Sequence, residues 1–73
     1  MTVSVDGQKI RALRETKLLE RQELADLADV SYSTIYKMEK HGHLPRLSTV
    51  RAVAKVLRIK PEEIVVDSPA VVA

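Results

Sequence analysis

Seventy-three residues without a cysteine make a single domain that has neither a disulfide framework nor a thiolate zinc site to hold it. Hydrophobic residues are 45% of the chain, yet Phe and Trp are absent and no apolar run approaches the roughly 18 residues needed to span a bilayer, so an aliphatic core is expected. The formal net charge of +2 conceals a basic middle: residues 37–60 carry Lys37, Lys40, Arg46, Arg51, Lys55, Arg58 and Lys60 against Glu39 alone, between two net-acidic flanks.

In chain order, Asp6-Gly7 starts a first helix running to about Lys17, with Ile10 and Leu13 as core anchors beside Arg14. Glu20 caps a second helix over about 21–28, with Leu24, Ala25 and Ala28 inward. Ser31 is suited to cap a third, over about 32–40, because its hydroxyl accepts a free N–H of the first turn. Ile35 and Met38 then face inward, and Val30 with Ile35 fills the wedge between the second and third helices. His41-Gly42-His43-Leu44-Pro45 breaks the pattern as a loop. Leu47, Val50, Val53, Ala54 and Leu57 recur at helical spacing and predict a fourth helix over about 47–58. Pro61 suits the first position of a short fifth helix, with Glu62 and Glu63 near its positive end and Ile64 returning to the core. Strand signals are weak, confined to Ile64-Val65-Val66 and the last residues. The expected fold is all-α, five helices over residues 1–66, followed by a loose tail from Asp67 to Ala73.

The pair of short helices around Ser31 leaves Tyr32, Ser33, Tyr36 and Lys37 facing outward from a scaffolded helix, a shape suited to the DNA major groove. A basic segment beside it is what a polyanion-binding face looks like; a solvated lysine-rich surface is the alternative. Catalysis finds no footing. There is no glycine-rich phosphate loop, no cysteine, and no histidine sharing a face with a serine. His41 and His43 alone make a poor metal ligand set, and no cofactor is expected.

Several residues in register carry a resemblance. Arg14 lies in the first helix, Leu24-Ala25 in the second and Val30-Ser31 at the turn; Ser33-Thr34-Ile35 and Glu39 follow in the third, then Pro45 and Leu57-Arg58-Ile59. The set is similar to the lambda-repressor-like (Cro/repressor, XRE-type) helix-turn-helix family over about Ile10 to Val65. Three positions depart from that family's pattern. Arg21 stands where Gln is common, Asp29 where a positive-φ Gly is usual, and Gly42 closes the third helix one place late, with His41 in the expected slot.

The resemblance implies a sequence-specific double-stranded DNA-binding regulator, a repressor of phage or plasmid type, acting as a homodimer in a prokaryotic cytoplasm. Tyr32, Ser33 and Lys37 occupy its base-reading positions. Lys37 can donate to guanine O6 and N7, or else touches only phosphate. Tyr32 can meet a thymine methyl or pack on the scaffold. Arg21, Ser31, Thr34, Tyr36, Lys40, His43 and Arg46 are the expected backbone contacts, with Arg21 alternatively paired to nearby acidic residues. Arg14 and Glu39 are expected to form a structural ion pair tying the first helix to the third, as in the family. The rival reading is a protein-interaction module or antitoxin on the same fold. Leu27 and the apolar Val71-Val72 give it some support, and that tail is also the expected site of dimer contacts.

Overall fold

A computed structural model describes residues 2–68, and four α-helices make up most of it. They are α1 (Gly7–Thr16), α2 (Arg21–Ala28), α3 (Tyr32–His41) and α4 (Leu47–Leu57). Strands β1 (Thr2–Val5) and β2 (Val65–Ser68) flank them, and a 3-10 turn spans Pro61–Glu63.

Each helix start has a local cause. Asp6 Oδ1 accepts the Lys9 N–H at 3.1 Å to open α1. At α2, Glu20 stands in the cap position, but the cap is made in reverse: the Glu23 carboxylate accepts the Glu20 N–H at 2.9 Å. Ser31 Oγ accepts the Thr34 N–H at 3.2 Å to open α3. The helix ends are less usual. Leu18, Asp29 and Arg58 all adopt the left-handed conformation, with φ of 57°, 58° and 58°. In each case the following N–H folds back onto the last turn of the helix, as in Val30 N–H to the Ala25 carbonyl at 2.9 Å. Gly42, at φ 63°, ends α3, which therefore includes His41 and runs one residue past the expected end.

The core is aliphatic. Ile10, Leu24, Ala25, Ala28, Ile35, Met38, Val50, Val53, Ala54, Leu57 and Ile64 are buried, joined by Val5 from β1, and Leu13 and Val30 pack against them. Leu47, which shares the sequence spacing of the α4 core face, is instead 61% exposed at the first turn of that helix. Helix α3 packs on α1 and α2, and α4 closes the far side against α2. The α1 start approaches α3 closely: a Cβ on Gly7 would collide with the carbonyl oxygens of Met38 and Glu39. No helix among the described residues is long and apolar enough to cross a membrane.

The termini depart from expectation. In place of a fifth α-helix, Pro61–Glu63 makes one 3-10 turn, and the chain then extends into β2. The two strands pair antiparallel, with Thr2 opposite Ser68, Val3 opposite Asp67, Ser4 opposite Val66 and Val5 opposite Val65. β-Branched residues fit a pleated surface better than a helix that has room for only one turn. Asp67 and Ser68, expected in the loose tail, belong to β2. Val71 and Val72, the expected dimer contacts, lie outside the described residues. The sheet is fastened to the helices at both joints: Val5 N–H donates to the Gly42 carbonyl at 3.1 Å, and Asp6 N–H to the Ile64 carbonyl at 2.7 Å.

Candidate nucleic-acid interface

The α3 helix has two unlike faces. Ile35 and Met38 are buried against α1 and α2. At about 100° per residue, positions 32, 33, 36, 37 and 40 fall within about 140° of arc on the other side. Tyr32, Ser33, Tyr36, Lys37 and Lys40 are accordingly all exposed along one stripe. Thr34 lies off that stripe, half-buried, and its hydroxyl meets Ser31 Oγ at 2.9 Å, so both hydroxyls are engaged in the cap of α3. His43 and Arg46 are exposed in the loop that follows, with Arg46 at the cap position of α4.

The aromatic rings on this stripe are ordered by one another. Tyr32 and Tyr36 lie one turn apart with ring centroids at 6.4 Å and planes 29° apart. His41 meets Tyr36 edge-on, centroids at 6.1 Å. The Arg21 guanidinium sits 5.7 Å from the centre of the Tyr36 ring, in cation–π range. Sequence reasoning misses His41 as a member of this row; its place there follows from the late end of α3.

Beneath this layer lies a charged cluster. Arg14 donates to Glu39 through two nitrogens, Nε to Oε2 at 2.8 Å and Nη2 to Oε1 at 3.1 Å, and its Nη1 donates to the Leu19 carbonyl at 2.7 Å. Arg21, from the start of α2, donates its Nε to the same Oε1 at 3.1 Å. The Glu39 side chain is 1% exposed, that of Arg14 9% and that of Arg21 22%. The neighbouring Tyr32 hydroxyl, and after it the Glu39 carboxylate, raise the Arg21 pKa above its ordinary value, so it is cationic at any working pH. Arg11, Arg14, Glu20, Arg21, Gln22 and Tyr32 line a cleft of about 380 Å³ beside the N-terminus of α2. For Arg21 the sequence leaves phosphate contact and acidic pairing as alternatives. The structure places it on the shared carboxylate and in the open cleft together. Neither Arg11, on α1, nor Gln22, at the start of α2, carries a sequence signal that marks it for this cleft.

Two packed helices joined by a left-handed turn, the second exposing a polar stripe, define a helix-turn-helix protein. The chain belongs to the helix-turn-helix family, whose model matches residues 10–64. It is 39% identical over 59 residues to the immunity repressor protein of Bacillus phage phi105, covering 81% of this chain and 41% of that protein. The chain thus spans about two-fifths of the repressor's length. Among solved structures it is similar to the restriction-modification controller protein C.AhdI from Aeromonas hydrophila, with a TM-score of 0.71 and 32% identity over 78% of this chain and 86% of that one. It is also similar to the P22 c2 repressor, solved in complex with a synthetic operator, with a TM-score of 0.72 and 27% identity over 77% of this chain and 85% of that one.

Proposed function

We propose that this chain binds double-stranded DNA sequence-specifically and represses transcription, inserting α3 into the major groove as a homodimer on two half-sites. The observation that carries the proposal is the exposed stripe Tyr32–Ser33–Tyr36–Lys37–Lys40, opposite a face locked into the core by Ile35 and Met38. A rigid helix presenting hydrogen-bond donors on one side has the shape and chemistry of a major-groove reader. The likeness to a phage immunity repressor and to a repressor solved on its operator supports the same reading. In it Tyr32, Ser33 and Lys37 meet base edges. Arg21, Tyr36, Lys40, His43 and Arg46 meet the sugar-phosphate backbone, while Ser31 and Thr34 approach it from the cap of α3. The setting is the cytoplasm of a prokaryote, with the gene carried by the cell or a phage. The exposed Leu27, 62% accessible on α2, favours a second reading, a protein-docking role for the same domain.

The test is a binding profile over all single-base variants of an operator selected from random duplex DNA. Lys37→Ala is expected to relax preference at one base position in each half-site, by about 1–3 kcal/mol. A uniform loss across the profile moves Lys37 to an anchoring role and leaves Tyr32 and Ser33 to read sequence. Arg46→Ala is expected to weaken all sequences alike and to make the salt dependence shallower.

A further inference from the structure

Glu39 serves two arginines, and the resulting trio is not neutral. Its single negative charge faces the guanidinium groups of Arg14 and Arg21, leaving one positive charge in excess. A half-buried excess charge is costly unless something compensates it. The two arginines are not equivalent, because Arg14 is enclosed and also bound to the Leu19 carbonyl, whereas Arg21 keeps part of its side chain in solvent and lines the cleft. The excess is therefore presented outward by Arg21, at the first residue of α2, where free backbone N–H groups and the helix dipole also favour an anion.

The way Arg21 is held decides which of its donors are available. Its Nε is turned inward to Glu39, and the guanidinium carbon lies over the Tyr36 ring. The Nη nitrogens at the tip have no carboxylate partner among the described residues, and the Tyr32 hydroxyl neighbours the guanidinium in the cleft. An arginine has many rotamers, and ordering one on binding costs affinity; here Glu39 and Tyr36 order it before DNA arrives. We infer that Glu39 is a positioning residue for DNA binding, one that holds Arg21 from inside the fold so that its outer nitrogens meet a backbone phosphate. The inference rests on the proposed phosphate contact of Arg21. The ion pair joining α1 to α3 and the anchoring of α2 on DNA are then one device, and the phosphate meets the positive charge that Glu39 leaves unbalanced, in a cleft that also holds Glu20 and Arg11.

The opposing possibility has the opposite sign: a carboxylate beside Arg21 draws it away from phosphate, so that removing the carboxylate tightens binding. Binding of the full chain to a fluorescent mixed-sequence duplex a few helical turns long, at several salt concentrations, separates the two. The parent is read first. A parent that shows no salt-dependent binding overturns the DNA-binding reading and this inference with it. Arg21→Gln is expected to weaken binding about tenfold and to make the salt slope shallower by about one for each phosphate it no longer neutralises. If it binds like the parent, the inference falls while the DNA-binding reading stands.

Arg21→Lys decides the role of Glu39. Lysine keeps the charge and the reach to phosphate but lacks the fork that bonds Glu39 through one nitrogen and offers others outward. Loss of affinity close to that of Arg21→Gln supports positioning, and binding within about twofold of the parent means charge alone suffices and overturns it. Glu39→Gln, measured where circular dichroism shows it folded, is expected to weaken binding and to add little when combined with Arg21→Gln. Tighter binding than the parent, or fully additive losses, overturns the inference. Should Glu39→Gln not fold, Arg21→Lys remains decisive, because it leaves the Arg14–Glu39 bonds in place.

Discussion

The two ends of α3 are held by different kinds of contact. At its start, α2, the Asp29 turn and the Ser31 cap all lie within a dozen residues, and each bond is made between chain neighbours. At its end, Gly42 is bound by Val5, and Val5 is fixed by pairing with Val65 from the other end of the chain. The stripe proposed to read DNA starts at the locally built end and runs to Lys40, beside the braced one. The terminal sheet acts as a brace from behind, and the Glu39 cluster lies between, joining α1, α2 and α3. Local contacts shape the reading surface; distant ones fix where it sits.

Substitutions in the three places are expected to differ in size. The largest effect is at the cluster. Glu39→Ala leaves Arg14 enclosed without a counter-charge, and urea titration is expected to show a loss of about 3–5 kcal/mol. A loss below about 1 kcal/mol means Arg14 escapes to solvent and the cluster does not join the helices. Val5→Ala comes next, removing two buried methyl groups from β1 for about 2 kcal/mol. Native-state hydrogen exchange is expected to rise mainly at β1, β2 and Gly42, with the first turn of α3 unaffected; a uniform rise would erase the distinction between the two ends.

Ser31→Ala acts at the opposite end of α3. It removes the side-chain acceptor of the Thr34 N–H, and thermal melts are expected to report about 1 kcal/mol, with the sheet amides unchanged. The smallest effect carries the opposite sign. Asp29 holds φ 58° in the turn, and Asp29→Gly relieves that conformation while adding freedom to the unfolded chain, for a net gain of about 0.5 kcal/mol. Destabilisation there would show that Asp29 has a side-chain role beyond tolerating the left-handed region.

What sequence reveals follows the same division. Asp6 and Ser31 announce helix starts because a capping oxygen acts on an N–H three residues on. The span of α2 follows from the inward spacing of Leu24, Ala25 and Ala28, and the exposed stripe of α3 from the positions left over by Ile35 and Met38. The strands are hidden for the converse reason. Thr2–Val5 alternates only briefly, and a four-residue run has no meaning until its partner is known. Leu47 misleads because spacing places it with Val50 and Val53, while at the first turn of α4 the core lies beyond its reach. At the site, Arg14, Arg21 and Glu39 are each visible in the sequence. That one carboxylate bonds both arginines depends on three helices meeting, which no single spacing encodes.

The β1–β2 pairing also sets an order of assembly. The helix contacts, α1 with α3 and α2 with α3 and α4, span shorter stretches of chain, whereas Val5 and Val65 must close a loop of roughly sixty residues before their pairing contributes anything. The helical body is accordingly expected to form first, with the sheet as its final seal. Weakening the sheet is therefore expected to speed unfolding and to leave the folding rate nearly unchanged. On the ribosome β1 emerges before the four described helices and waits for β2 to pair.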